Sequence, residues 1–144
     1  MKIAVIWVGK TRQGWARAAS EEYLARLAGF RRLAAVEGLE LSGRDPEAAL
    51  LRRAGAGRLW LLDPAGKSLD SAQFQRLLAR EAGANRELVL AVGGADGFGT
   101  AARAAAAGRI SLSPLTFSHA LARVALLEQV YRALAAMAGH PYPH

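Results

Sequence analysis

Two loops carry the residue types that could do chemistry. The first is Gly93-Gly94-Ala95-Asp96-Gly97-Phe98-Gly99, and the second runs Leu112-Ser113-Pro114-Leu115-Thr116-Phe117-Ser118. Adjacent glycines let a backbone approach a ligand closely and adopt φ above zero. Directly after the second loop stand His119 and Arg123, four residues apart and therefore on one face if both are helical. An imidazole can take or give a proton, whereas a guanidinium stays charged and can only stabilise an anion or clamp a phosphate. The plainer alternatives are that His119 belongs to a helix N-terminus and that Arg123 is an exposed or helix-paired cation. The glycine loop is not a dinucleotide fingerprint. It lacks the G-x-G-x-x-G spacing, and no carboxylate lies between Asp96 and Glu128 to meet a ribose. It is not a phosphate-binding P-loop either, because no Gly-Lys-Ser/Thr follows. A bare glycine loop is more often a tight turn than a cradle; the second loop sharpens the case for a small-molecule site.

Those loops need elements to hold them. Residues 88–92 form an apolar strand that ends at the glycine loop, and a helix begins at Thr100. Residues 109–112 form a short strand that ends at the second loop, which leads into a long helix. In open α/β sheets, ligands sit at the carboxyl ends of such strands. Further strands are expected over residues 2–9, 33–36 and 58–62, the last a continuous apolar run suited to a sheet covered on both faces. Asp45-Pro46 reads as N-cap then first turn of a helix to Ala54, closed by Gly55 and Gly57. Residues 63–67 read as a turn, which Asp63 caps or through which it borders a ligand. Ser68 to Ser71 offer caps for a helix bearing Phe74, Leu77 and Leu78. Trp15, Ala19, Tyr23 and Leu27 recur every four residues and are read as a core-facing helical stripe, in preference to a stacking platform for a nucleobase. The strand–helix alternation implies one α/β domain over residues 1–144, a mostly parallel sheet with helices on both faces.

The bulk properties narrow the class further. The chain has 144 residues, 52% of them hydrophobic, enough for one real core. It has no cysteine and only three His, which gives disulfides and metal sites little support. The apolar runs fall short of the roughly 20 residues of a membrane span. Residues 1–9 mimic a brief signal peptide but read better as a strand, so a cytoplasmic location is expected. The net charge is +7, from 19 Lys+Arg against 12 Asp+Glu. Arg-rich coding bias explains this as readily as a polyanionic partner does. Placement favours the partner: between Lys2 and Arg32 there are seven cations and two acids, Glu21 and Glu22. That end is expected to face RNA.

Several stretches together resemble one family. They are residues 92–98, Ile110-Ser111-Leu112-Ser113, residues 115–124, Glu128-Gln129-Val130-Tyr131-Arg132-Ala133 and His140-Pro141-Tyr142. Leu61-Leu62-Asp63-x-x-Gly66-Lys67 matches as well. They are similar to the SPOUT methyltransferases, and within them to the bacterial group that methylates N3 of a pseudouridine in 23S ribosomal RNA. The resemblance implies a C-terminal trefoil knot, S-adenosylmethionine as methyl donor, a homodimer with its sites at the subunit interface, and the ribosome as partner. It implies cofactor contacts at Leu61, Leu62, Gly93, Gly94, Ser113, Pro114, Leu115, Thr116, Phe117 and Ser118. It places His119, Arg123 and Tyr142 near the reacting base, whose N3 proton must leave at or before attack. Two departures stand out: the segment before Arg58 is shorter and poorer in lysine than in the family, and the tail reads Tyr142-Pro143-His144. Rival functions are a non-catalytic RNA-binding module and a related knotted enzyme acting on tRNA.

Overall fold

Leu88–Val92 has no polar side chain, and such a strand is stable only with both faces covered. In the computed structural model, which describes residues 1–83 and 85–142, it takes the centre of a five-stranded sheet. The elements alternate: β1 (Lys2–Val8), α1 (Gly14–Leu27), β2 (Ala35–Leu41), α2 (Pro46–Ala54), β3 (Arg58–Ser68), α3 (Ser71–Glu81), β4 (Leu88–Val92), α4 (Thr100–Ala105), β5 (Gly108–Ser111) and α5 (His119–Met137). The strand order is β2-β1-β4-β3-β5, and every pairing is parallel. β4 pairs with β1 through Ile3↔Leu88 to Trp7↔Val92 and with β3 through Arg58↔Leu88 to Leu62↔Val92.

Side-chain alternation along these strands feeds two cores. On one face Ile3, Val5, Leu88, Leu90 and Val92 meet Leu27, the Phe74, Leu77 and Leu78 face of α3, and Leu126, Leu127, Val130 and Leu134 of α5. On the other, Ala4, Ile6, Leu59, Leu61, Val89 and Ala91 meet Leu50 and Ala54 of α2 and Ala102 of α4. The result is three layers. Helix starts are set by side chains: the Asp45 carboxylate accepts from the Ala48 N–H with Pro46 following, and Asp70 and Gln73 form a reciprocal capping box. Ser118 accepts from the Leu121 N–H to open α5.

Several boundaries differ from the sequence reading. β2 lies at 35–41 and not at 33–36, because Phe30 to Ala34 are taken up by a helical turn closed by hydrogen bonds from Leu33 and Ala34 to the Phe30 carbonyl. The N-cap of α3 falls on Asp70, inside the expected stretch from Ser68 to Ser71. β3 continues past Leu62. Ile110 pairs with Leu62 and again with Lys67, so Asp63 to Gly66 form an excursion within the strand. A Cβ on Gly66 would lie 2.7 Å from the Arg109 carbonyl carbon, so this close approach requires glycine. The core reading of Trp15 is overturned as well: its side chain is 53% exposed, and α1 buries Ala16, Ser20 and Leu27 instead. A strict four-residue series drifts by about 40° per step around a 3.6-residue helix, so Trp15 and Leu27 end on different faces.

Candidate cofactor and substrate site

The crevice follows from the way the chain leaves adjacent strands. After β3 it passes to α3, which packs against α5, and after β4 it passes to α4, which packs against α2 on the opposite face. Two neighbouring parallel strands whose connections diverge open a cleft beyond their carboxyl ends. A cavity of about 400 Å³ lies there. Its walls are Leu62, Asp63 and Pro64 at the excursion within β3, Val92 to Ala95 with Gly97 from the end of β4, and Ser111 to Ser113 with Leu115 to Ser118 from the end of β5. His119 and Ala122 in the first turn of α5 close it.

Hydrogen bonds fix the loops. The Gly97 N–H donates to the Gly94 carbonyl at 3.0 Å, and the Gly99 N–H donates to the Glu47 carboxylate at 2.6 Å. Glu47 of α2 thus grips the far end of the glycine loop. On the other side, the Ser111 hydroxyl donates to the Ser113 carbonyl at 2.8 Å, and the Leu115 N–H donates to Ser113 Oγ at 3.0 Å. A Cβ on Gly93 would meet the Phe98 ring at 3.2 Å and the Gly97 backbone at 3.3 Å. The loop is therefore folded tightly on itself at this point.

The wall is largely apolar and carries neither lysine nor arginine. Among the described residues Asp63 is its one carboxylate. That acid is held below the usual carboxylate range by the Ala65 N–H and then by Arg109, with burial opposing. Arg109 lies 3.0 Å from Asp63 Oδ2, and Arg103 lies 4.0 Å from it. Such a site suits a ligand of little net negative charge recognised by main-chain groups; a triphosphate would find no cation on the wall.

The expected site residues divide. Leu62, Gly93, Gly94, Ser113, Leu115, Thr116, Phe117, Ser118 and His119 all line the cavity. Leu61 and Pro114 do not. Leu61 is fully buried in the opposite core, as the two-residue period of a strand demands of a neighbour of Leu62. Asp63 fills both of its expected places, accepting from the Ala65 N–H in the turn and lining the cavity; Glu47 gives no local signal in the sequence, because its partner is 52 residues away.

Arg123 does not reach the cavity. It is 3% exposed, donates from Nε to Ser20 Oγ at 3.1 Å and from Nη1 to Glu40 at 3.3 Å and to Thr11, and lies 4.4 Å from the Trp7 ring centroid. Burial works against its charge, and Glu40 offsets this. Ala122, one residue earlier, holds the cavity-facing position that spacing assigned to it. Tyr142 is also off the cavity. Its ring meets Tyr131 edge-on at 4.8 Å, its hydroxyl lies 3.4 Å from that of Tyr23, and Arg132 stands over its ring at 4.9 Å. The Tyr23 hydroxyl, burial and the Glu128 carboxylate push the Tyr142 phenol up to about 12. It is therefore protonated at neutral pH and can donate a hydrogen bond but cannot take a proton. The expected tail residues Pro143 and His144 lie outside the described residues. Among the described residues no group of His, Cys, Asp and Glu could hold a metal, and no helix is long and apolar enough to cross a membrane.

Residues 1–144 match the family described as "Predicted SPOUT methyltransferase". A protein of Geotalea daltonii is 38% identical over 154 residues, covering 100% of both chains. One of Alkalilimnicola ehrlichii is 41% identical, covering 99% of this chain and 98% of its own. One of Solibacter usitatus is 40% identical, covering 99% of each. All three are named ribosomal RNA large subunit methyltransferase H. Two solved structures share the fold at low identity. A methyltransferase of Legionella pneumophila in complex with SAM gives a TM-score of 0.52 at 12% identity, covering 95% of this chain and 66% of its own. The SpoU methyltransferase AviRb of Streptomyces viridochromogenes gives 0.54 at 16%, covering 96% and 61%.

Proposed function

Because the chain belongs to the SPOUT methyltransferase family, we propose that it is a ribosomal RNA methyltransferase that methylates N3 of a pseudouridine in 23S ribosomal RNA, acting on assembled ribosomes. Residues 1–144 act in this reading as one domain, in the cytoplasm, as a homodimer. The reading includes a C-terminal trefoil knot, which membership of the family implies. One observation carries the function most: a largely apolar cavity of about 400 Å³, lined by Gly93, Gly94 and Gly97 on one side and by His119 on another. Its size falls within the range of roughly 300–1,000 Å³ of small-ligand sites.

S-adenosylmethionine fits that wall, since an adenosine and a sulfonium call for apolar surface and main-chain groups and not for cations. Gly93, Gly94 and the loop from Ser113 to Ser118 would hold it, with Leu62 beneath, and it would supply an already activated methyl. The remaining work is done by the chain. The two loops, pinned by Glu47 and by Ser111 and Ser113, fix the site so that approach geometry supplies much of the rate. An imide N3 must lose its proton, and the imidazole of His119, which lines the cavity, would take it. Tyr142, held protonated, would donate to the developing charge on the base. Arg123 acts at one remove, by tying α5 to the loop after β1. Calorimetry with S-adenosylmethionine and mass spectrometry of ribosomal RNA from a deletion strain test the proposal. Cofactor binding plus loss of one methyl from a 23S pseudouridine is expected. Absence of cofactor binding would favour a pure RNA-binding module, and a methyl lost from tRNA would move the substrate.

A further inference from the structure

Trp15 is the largest apolar side chain left open to solvent, at 53% exposure. It stands in the first turn of α1, three residues after Arg12, and Arg17 reaches back to the Thr11 carbonyl at 3.2 Å. Lys10, Arg12 and Arg17 are all exposed, and none joins an ion pair among the described residues. The nearby Glu40 offers them no compensation, because it is committed to the Thr11 N–H, the Trp7 indole and Arg123. Of the two acids on α1, Glu22 is taken by Arg26, and Glu21, exposed one turn past Arg17, joins no ion pair among the described residues.

This corner is fixed to the cavity from two sides. The Val8 carbonyl at the end of β1 lies 3.5 Å from the point where Gly94 would carry a Cβ. Thr11 is bound by Arg123, one helical turn past His119. An exposed indole beside uncompensated cations, on the same edge as the cavity, fits one kind of partner. We propose that the corner between β1 and α1 docks a single-stranded RNA segment, with Trp15 stacking on a base and Lys10, Arg12 and Arg17 meeting phosphates. The proposal rests on the RNA methyltransferase reading and adds the place where substrate is held. A second copy of the chain fits less well, because a two-fold contact centred here would set these cations against their own copies.

The test uses the full chain and a short fluorescein-labelled oligouridine, read by anisotropy across a salt series. Trp15→Ala is expected to weaken binding roughly 10-fold with the salt slope unchanged, and Trp15→Phe to restore most of it. The double variant Lys10→Ala/Arg12→Ala is expected to flatten the slope by about one unit or more. Calorimetric affinity for S-adenosylmethionine should be unchanged in all three. Its loss in the unmutated chain would sink the function, whereas intact cofactor binding with unaltered RNA affinity would sink only this inference. Sedimentation of Trp15→Ala as monomers beside a dimeric parent would also overturn it and assign the corner to a second copy.

Discussion

The donors of Arg123 are spent on Ser20, Thr11 and Glu40, and its plane stacks on Trp7. It therefore joins α5 to α1, to the loop after β1 and to β2. Arg123 is buried, but the Glu40 side chain is 33% exposed, so water takes up part of the loss, and removing the guanidinium is expected to cost about 2 kcal/mol, chiefly by leaving the buried Ser20 and Thr11 hydroxyls without it. Arg123→Ala should thus lower the melting temperature by roughly 6 °C, measured by thermal denaturation. Well below that transition, its single-turnover rate at saturating RNA and cofactor should stay within about 3-fold of the parent. A rate loss on the order of 10² with an unchanged melting temperature would put Arg123 back at the reacting base. The four-residue spacing to His119 correctly marked a helix that borders the site. It could not reveal Glu40, which stands 83 positions away and becomes a neighbour only through parallel pairing of β1 with β2.

At the scale of elements, the glycine loop works because it is held at both ends. Gly97 closes it on Gly94, and the Glu47 carboxylate from α2 takes the Gly99 N–H. Gly94 lines the cavity, yet a Cβ there would make only ordinary contact, 3.5 Å from the Val8 carbonyl. Gly94→Val should therefore fold with a near-parental melting temperature while its methyls intrude on the cofactor's space. Calorimetry should show at least about a 10-fold loss of S-adenosylmethionine affinity, the order of a few lost or strained apolar contacts. Unchanged affinity in the folded variant would remove Gly94 from the site. The strands and loops that form this cavity were legible, because Leu88–Val92 and residues 58–62 are short apolar runs ending in turn residues. β2 was less so. None of Ala35–Leu41 is fully buried and Glu37 and Glu40 stand among them, so no apolar run announced it. The excursion in β3 was invisible for another reason: residues 63–67 spell a turn, and only pairing with β5 on both sides makes them part of a strand.

For the whole molecule, the separation of Tyr142 from the cavity is informative. His119 lines the cavity of its own chain, whereas Tyr142 lies against Tyr23 and Tyr131 on the layer formed by α1 and α5. If both act on one base, the tyrosine must come from a second copy. α5 has a surface for this: Leu121 and Ala136 are exposed, and Ala125, Glu128, Gln129 and Arg132 between them are half-buried, so a second copy would find partly open surface along the helix. In a symmetric dimer the two sites would be equivalent, each made of one chain's His119 and the other's Tyr142. That arrangement has a consequence a single-chain site lacks. His119→Ala and Tyr142→Phe should each be strongly impaired when assayed alone. Co-refolded in equal amounts, they should form heterodimers in which one site carries both substitutions and the other carries neither. With random pairing half the dimers are mixed and half of their sites are intact, so methyl transfer to 23S ribosomal RNA should recover to roughly a quarter of the parental level. Recovery no greater than the mean of the two variants, in a mixture shown by light scattering to be dimeric, would place both side chains in one subunit or remove Tyr142 from the chemistry.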